Sequence, residues 1–131
     1  MSDKGDHLTQ AEHNEALASE LTAVAPMKYK DWAVTVCFYA ALHYVEAAVF
    51  PRHCDKEAAA AKKGKHTYRV GVVEKKWGKP AGKLYFRMRM ASETARYLSN
   101  GGTPGGSFLS DAATLRFLNQ DLKDLKAFLH V

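Results

Sequence analysis

Residues 31–50, DWAVTVCFYAALHYVEAAVF, decide the fold of this chain. Most positions are apolar, and Thr35, Tyr39, His43 and Glu46 recur at three- and four-residue steps. That spacing puts the four on one narrow stripe of an α-helix; in a strand, alternate residues would share a face. At 1.5 Å per residue the run spans about 30 Å, also the thickness of a bilayer core. Glu46 and His43 argue against a membrane span, because an acid at the centre of one costs about 2.5–3.5 kcal/mol on insertion scales. The run is predicted to be the central helix of a bundle, apolar on nearly every side because other helices enclose it. Its polar stripe then needs partners, since buried polar groups are hydrogen-bonded.

Asp31 is the expected N-cap of this helix and Pro51 its stop. Upstream, residues 9–24 predict a first helix with Leu17, Leu21 and Val24 on one face and Glu12, Glu15 and Glu20 on the other. A short link through Pro26 makes it antiparallel to the second. Downstream, residues 55–63 favour helix but have no apolar face, so they are expected to form an exposed loop holding a short helix at most. A third helix is predicted over 65–77, with Tyr68, Val72, Val73 and Trp77 inward. After Pro80 comes a fourth over 81–99, with Leu84, Met88, Ala91, Ala95 and Leu98 as its seam. The glycine-rich stretch 101–107 reads as a linker, and Ser110 or Asp111 caps a fifth helix carrying Leu115, Leu118, Leu122, Leu125 and Leu129. The chain's 131 residues suit one all-α domain: an up-and-down four-helix bundle with an additional C-terminal helix.

Composition narrows the classes. Hydrophobic residues at 47% and charged residues at 25% describe a globular rather than a disordered chain. Cys37 and Cys54 are too few for a disulfide framework, and neither belongs to a CxxC pair. Cys37 is expected in the core and Cys54 as an exposed thiol; Trp32 and Trp77 are expected in the core rather than as base-stacking platforms. The N-terminal residues 1–6 are polar and predict no targeting segment, so a cytoplasmic location is expected. Charge is uneven: residues 52–89 hold twelve Lys or Arg against Asp55, Glu57 and Glu74, which is +9, and the remainder stands at −4. A basic middle on a mildly acidic frame points to a phosphate-bearing partner, with Lys62, Lys63 and Lys65 as candidate contacts; the competing reading is a solvated lysine face.

Catalytic signatures are missing. The sequence has no GxSxG, no P-loop and no GxGxxG ahead of a helix. Its six histidines form neither an HxxxH pair nor a Glu-x-x-His step, so no metal and no cofactor are expected.

A series of segments is more specific when read together. Phe38-Tyr39-Ala40-Ala41-Leu42-His43-Tyr44-Val45-Glu46-Ala47 lies on the second helix, His66-Thr67-Tyr68-Arg69 opens the third, and Ala95-Arg96-Tyr97 closes the fourth. In that order they resemble the HEPN superfamily (higher-eukaryote and prokaryote nucleotide-binding domains), in particular a small bacterial branch, over about residues 10–100. The resemblance implies a four-helix up-and-down bundle, often dimeric, that binds RNA or nucleotide, in some members as a ribonuclease toxin alongside a nucleotidyltransferase-type partner; with the apolar breadth of the second helix it leads to the expectation of a homodimer. The ribonuclease members carry an RxxxxH-like motif that this chain lacks. His66 and Arg69 reverse that order at a three-residue step, which puts both on one helix face.

The candidate ligand site is therefore His43, His66, Arg69, Arg96 and Tyr97, with Tyr39 and Glu46 orienting them. The alternative is a buried hydrogen-bond network that fixes helix register. Three functions stay open at this stage: a module binding nucleic acid or nucleotide, a metal-independent ribonuclease, and a structural or protein-interaction bundle.

Overall fold

The structure is a computed structural model and describes residues 3–96 and 109–131. All regular structure among these residues is helical, in the order α1 (Lys4–Ala23), α2 (Lys30–Val49), α3 (Cys54–Ala60), α4 (Lys65–Trp77), α5 (Lys79–Arg96), α6 (Asp111–Arg116), a π-helical turn (Phe117–Asp121) and α7 (Leu122–Leu129). Tyr97, Leu98 and the linker expected at 101–107 lie outside the described residues.

Helix α1 starts before the expected residue 9 because Asp3 and Asp6 form a reciprocal cap. Each accepts the other's backbone N–H, at 2.8 and 3.1 Å. Ala11 and Ala18 are the fully buried residues of α1 and join the α2 side chains in the core, while Leu17 and Leu21 are half-buried and Val24 is exposed. Small side chains seven residues apart let the two helix axes approach closely. His7, near the start of α1, meets His43, near the end of α2, so the pair is antiparallel. Asp31 falls in the first turn of α2 rather than at its cap, where Tyr29 stands without a side-chain bond. There its charge still complements the helix dipole.

Helix α2 is enclosed by α1, α5 and the C-terminal helical segments. Among the described residues it is the one helix long and apolar enough to cross a membrane, and 67% of its apolar window is buried against the rest of the chain, as in a core helix. Its apolar breadth is thus used within one chain and gives no separate argument for a second copy.

Two expectations fail around α3. The short helix is there, but it has an inner face: Cys54 and Ala58 are buried, and Cys54 packs with Val49 and Val72. Cys54 is therefore not an exposed thiol, and burial pushes its pKa up to about 12. Ala58 and Cys54, at a four-residue step, form the inner face, and side chains this small leave no apolar pattern in the sequence. Trp32 is likewise not in the core: it is 58% exposed.

The C-terminal leucine seam shifts at the π-helical turn. Leu118, Leu122, Leu125 and Leu129 are buried, but Leu115 is exposed and Thr114 takes the inward position. The extra residue of a π turn rotates everything before it. Ser110 caps α6 as expected, accepting from the Ala113 N–H at 3.0 Å. The Cys37 thiol donates to the carbonyl of Phe117 inside the π turn (3.5 Å).

Between α4 and α5 the chain turns at Gly78, whose φ of 98° favours glycine. Gly82 then lets the helices touch: a Cβ there would lie 2.8 Å from Glu74 Cβ and 3.2 Å from Glu74 Cα. At Gly71, by contrast, a Cβ meets nothing within 4 Å. Gly71→Ala should therefore stabilise the protein by about 0.5–1 kcal/mol through helix propensity. Gly82→Ala should destabilise it by about 1–3 kcal/mol through overpacking. Urea melts of the two variants check both signs.

Candidate functional site

The polar stripe of α2 finds its partners on three different helices. Tyr39 accepts from Arg96 on α5 (Nη1 to Oη, 2.7 Å), and the guanidinium carbon lies 5.8 Å from the tyrosine ring centroid. His43 meets His7 on α1, Nδ1 to Nδ1 at 3.0 Å, so one ring donates and the other accepts. Glu46 accepts from Arg69 Nε on α4 at 2.6 Å. Thr35 instead bonds back to the Asp31 carbonyl of its own helix (2.8 Å).

Arg69 is the most constrained of these residues. Its side chain is 2% exposed and is held by Glu46 and by Asp55 at the start of α3. One guanidinium thus ties α2, α3 and α4 together. The fully buried Tyr85 hydroxyl and Arg69 Nη1 have no hydrogen-bond partner among the described residues. His43, Glu46 and Arg69 line a cavity of about 250 Å³ together with His7, His53 and Asp55.

Of the five residues expected in one pocket, four are described, and of these only His43 and Arg69 line this cavity. His66 and Arg96 stand apart from that cavity, His66 with its ring centroid 5.9 Å from Phe38 and Arg96 on Tyr39. Tyr97 lies outside the described residues. Sequence reasoning missed His7 and Asp55, because the contacts that recruit them cross between helices. Among the described residues no group of three His, Cys, Asp or Glu side chains is placed to hold a metal ion.

Both interior histidines are held below their ordinary pKa. For His43 the cause is burial, followed by His7; for His66 it is burial, followed by the cations Arg69, Arg89, Lys65 and Arg96.

A second constellation lies on the outer face of α4. Lys62, Lys63 and Lys65 are all exposed, but they part ways. Lys62 closes α3 with a left-handed φ of 56°, and the Lys63 N–H then reaches back to the Ala58 carbonyl (2.9 Å). That turn brings Lys63 to a groove of about 550 Å³ whose walls include Arg52, Tyr68, Lys75 and Lys76 and whose floor includes Gly71. Lys62 and Lys65 do not line it. Among the described residues no carboxylate lines the groove either; Glu57, behind its rim, binds Arg52 twice (2.6 and 3.0 Å) and accepts from Tyr68 Oη (2.9 Å). The stripe was readable in advance, since Thr67, Gly71 and Lys75 follow at four-residue steps.

Removing one partner of a buried ion pair leaves the other uncompensated, so Arg69→Ala should cost about 3–5 kcal/mol. Replacing Arg69 and Glu46 together by Met and Leu should cost less than Arg69→Ala alone, as a double-mutant cycle in urea will read. An unfolded histidine takes up its proton near pH 6.5, whereas His43 and His66 in the fold do so at lower pH. Below about pH 6.5 the unfolded chain therefore binds more protons, and stability should fall as pH falls. Melts from pH 7.5 to 5.5 should show that slope, and it should flatten in His43→Gln.

No family model, no curated protein and no solved structure matches this chain, so its functional reading rests on the geometry above and on the residues themselves.

Proposed function

We propose that this chain is a cytoplasmic HEPN-like module that binds the phosphate backbone of nucleic acid in the groove along the outer face of α4. The observation that carries the reading is the lining of that groove: Lys63, Lys75 and Lys76, beside an Arg52 already held by Glu57, with no carboxylate in the lining among the described residues. A concave cationic surface over a low-dielectric wall concentrates polyanions and holds them by counterion release. The long helices α1, α2, α4 and α5 fit the up-and-down four-helix bundle that the resemblance implies, with α3 and the C-terminal segments as additions.

The interior site supports binding less well than architecture. A phosphate needs spare positive charge, and Arg69 is already matched by two carboxylates. The ribonuclease reading asks a free arginine to hold the scissile phosphate beside a histidine, and Arg69 is not free. We read Glu46, Arg69, His43 and Tyr39 as the layer that fixes helix register, with His66 and Arg96 at its edge.

Short RNA and DNA oligonucleotides should bind at low salt without strong sequence preference, with a log–log salt slope of about −0.7 per contact on single strands. Reversing Lys63, Lys75 and Lys76 to Glu should weaken binding and flatten the slope by about 2. Reversing Lys62 and Lys65, exposed but outside the groove, should do far less. Failure of both RNA and DNA to bind at low salt would reduce the groove to a solvated face.

A further inference from the structure

Lys76 lines the cationic groove and also a larger cavity of about 890 Å³ formed by residues of α4, α5 and α7. The two cavities differ in chemistry. The first is basic along its length, whereas the second is apolar at Trp77, Pro80, Leu84 and Phe128 and basic at Lys83 and Arg87. Trp77 is packed against both hydrophobic clusters of the interior, so its ring is held in place. Its π-face already attracts a cation: Lys76 Nζ lies 5.2 Å from the ring centroid. One carboxylate, Asp124, is also in the lining; it accepts from the Gln120 amide nitrogen at 3.0 Å on each oxygen and keeps its charge, against the two cations Lys83 and Arg87 and the shared Lys76. Arg87 reaches the nearby Asp121 at 3.0 Å.

We infer that the nucleic acid this protein takes is single-stranded, and that one of its bases enters the α4–α5–α7 cavity and stacks on Trp77. The inference rests on the proposed backbone groove. A phosphate track beside an aromatic, cation-rimmed pocket is the arrangement by which proteins hold single strands, because every base has a π-face to stack and every link a charge. A base in a duplex is already stacked and paired, and must leave both partners before it can reach Trp77. On entry it exchanges the Lys76 cation–π contact for stacking, and the released ammonium is left beside the phosphate that leads back into the first groove.

The test uses the full chain carrying Trp32→Phe, which makes Trp77 the only tryptophan; Trp32 is exposed and lines neither groove. Oligouridylate, oligothymidylate and duplexes of equal length are titrated at one low salt concentration, with Trp77 fluorescence and the anisotropy of labelled strands recorded together. Single strands should quench Trp77 and bind at least about tenfold more tightly than duplexes, the size expected of one stacked base. Preference between the uridine and thymidine strands separates RNA from DNA as the source. Phe128→Ala and Lys83→Glu should lower single-strand affinity while leaving duplex affinity and the far-ultraviolet circular dichroism unchanged. Equal affinity for both forms, or tight binding without quenching, would overturn the base pocket and leave the backbone groove standing. Loss of all binding at low salt would overturn the groove reading, and the base pocket with it.

Discussion

A guanidinium with 2% of its side chain exposed is the constraint around which this fold is arranged. Taking such a charge out of water costs several kcal/mol unless carboxylates accompany it with good geometry. Arg69 therefore recruits Glu46 from α2 and Asp55 from α3, and three helices are fixed relative to one another. Asp55 keeps 59% of its side chain in solvent, which spares one partner most of the desolvation. The pair also sets the rotation of α4 about its own axis. With Arg69, Val72 and Val73 inward, Thr67, Gly71 and Lys75 must point away from the core. The cationic groove on the outside is in this sense a consequence of the ion pair on the inside.

That coupling separates two kinds of polar chemistry within one helix. On the inner face charge is balanced, and the histidines beside it are held below their ordinary pKa, chiefly by burial. On the outer face lysines gather with little to neutralise them except Glu57 on Arg52. Balanced buried charge specifies geometry, whereas uncompensated exposed charge attracts a partner.

Much of the architecture was legible because periodicity reports burial directly. The 31–50 run reads as an enclosed helix, and α4 spans Lys65–Trp77, the bounds its pattern predicts. What escaped depended on contacts between segments. Cys54 is buried only because α3 lies on Val49 and Val72, and nothing within its own sequence says so. The π turn at Phe117–Asp121 leaves the leucine spacing intact while turning Leu115 outward. The Asp3–Asp6 cap lies ahead of the apolar repeat of α1, where no periodicity marks it. For the candidate site, the α2 stripe and its need for partners were legible, but their identity was not. The assumption that one pocket would gather them failed because a stripe this narrow still fans out to α1, α4 and α5. The basic middle showed in the charge count; the groove required knowing which lysines share a face, and Lys62 and Lys65 do not share it with Lys63.

The central claim is that ligand meets the outer face of α4 while the inner face holds the helices together. A nitrogen-15 NMR titration with a short oligouridylate tests it most directly, since it reports each position at once. The account predicts that the amides of Tyr68, Gly71 and Lys75 and the indole N–H of Trp77 move together, while Glu46, His43 and the Arg69 Nε–H stay still. Largest shifts at His43, His66 and Arg69, with the outer face of α4 unmoved, would contradict it.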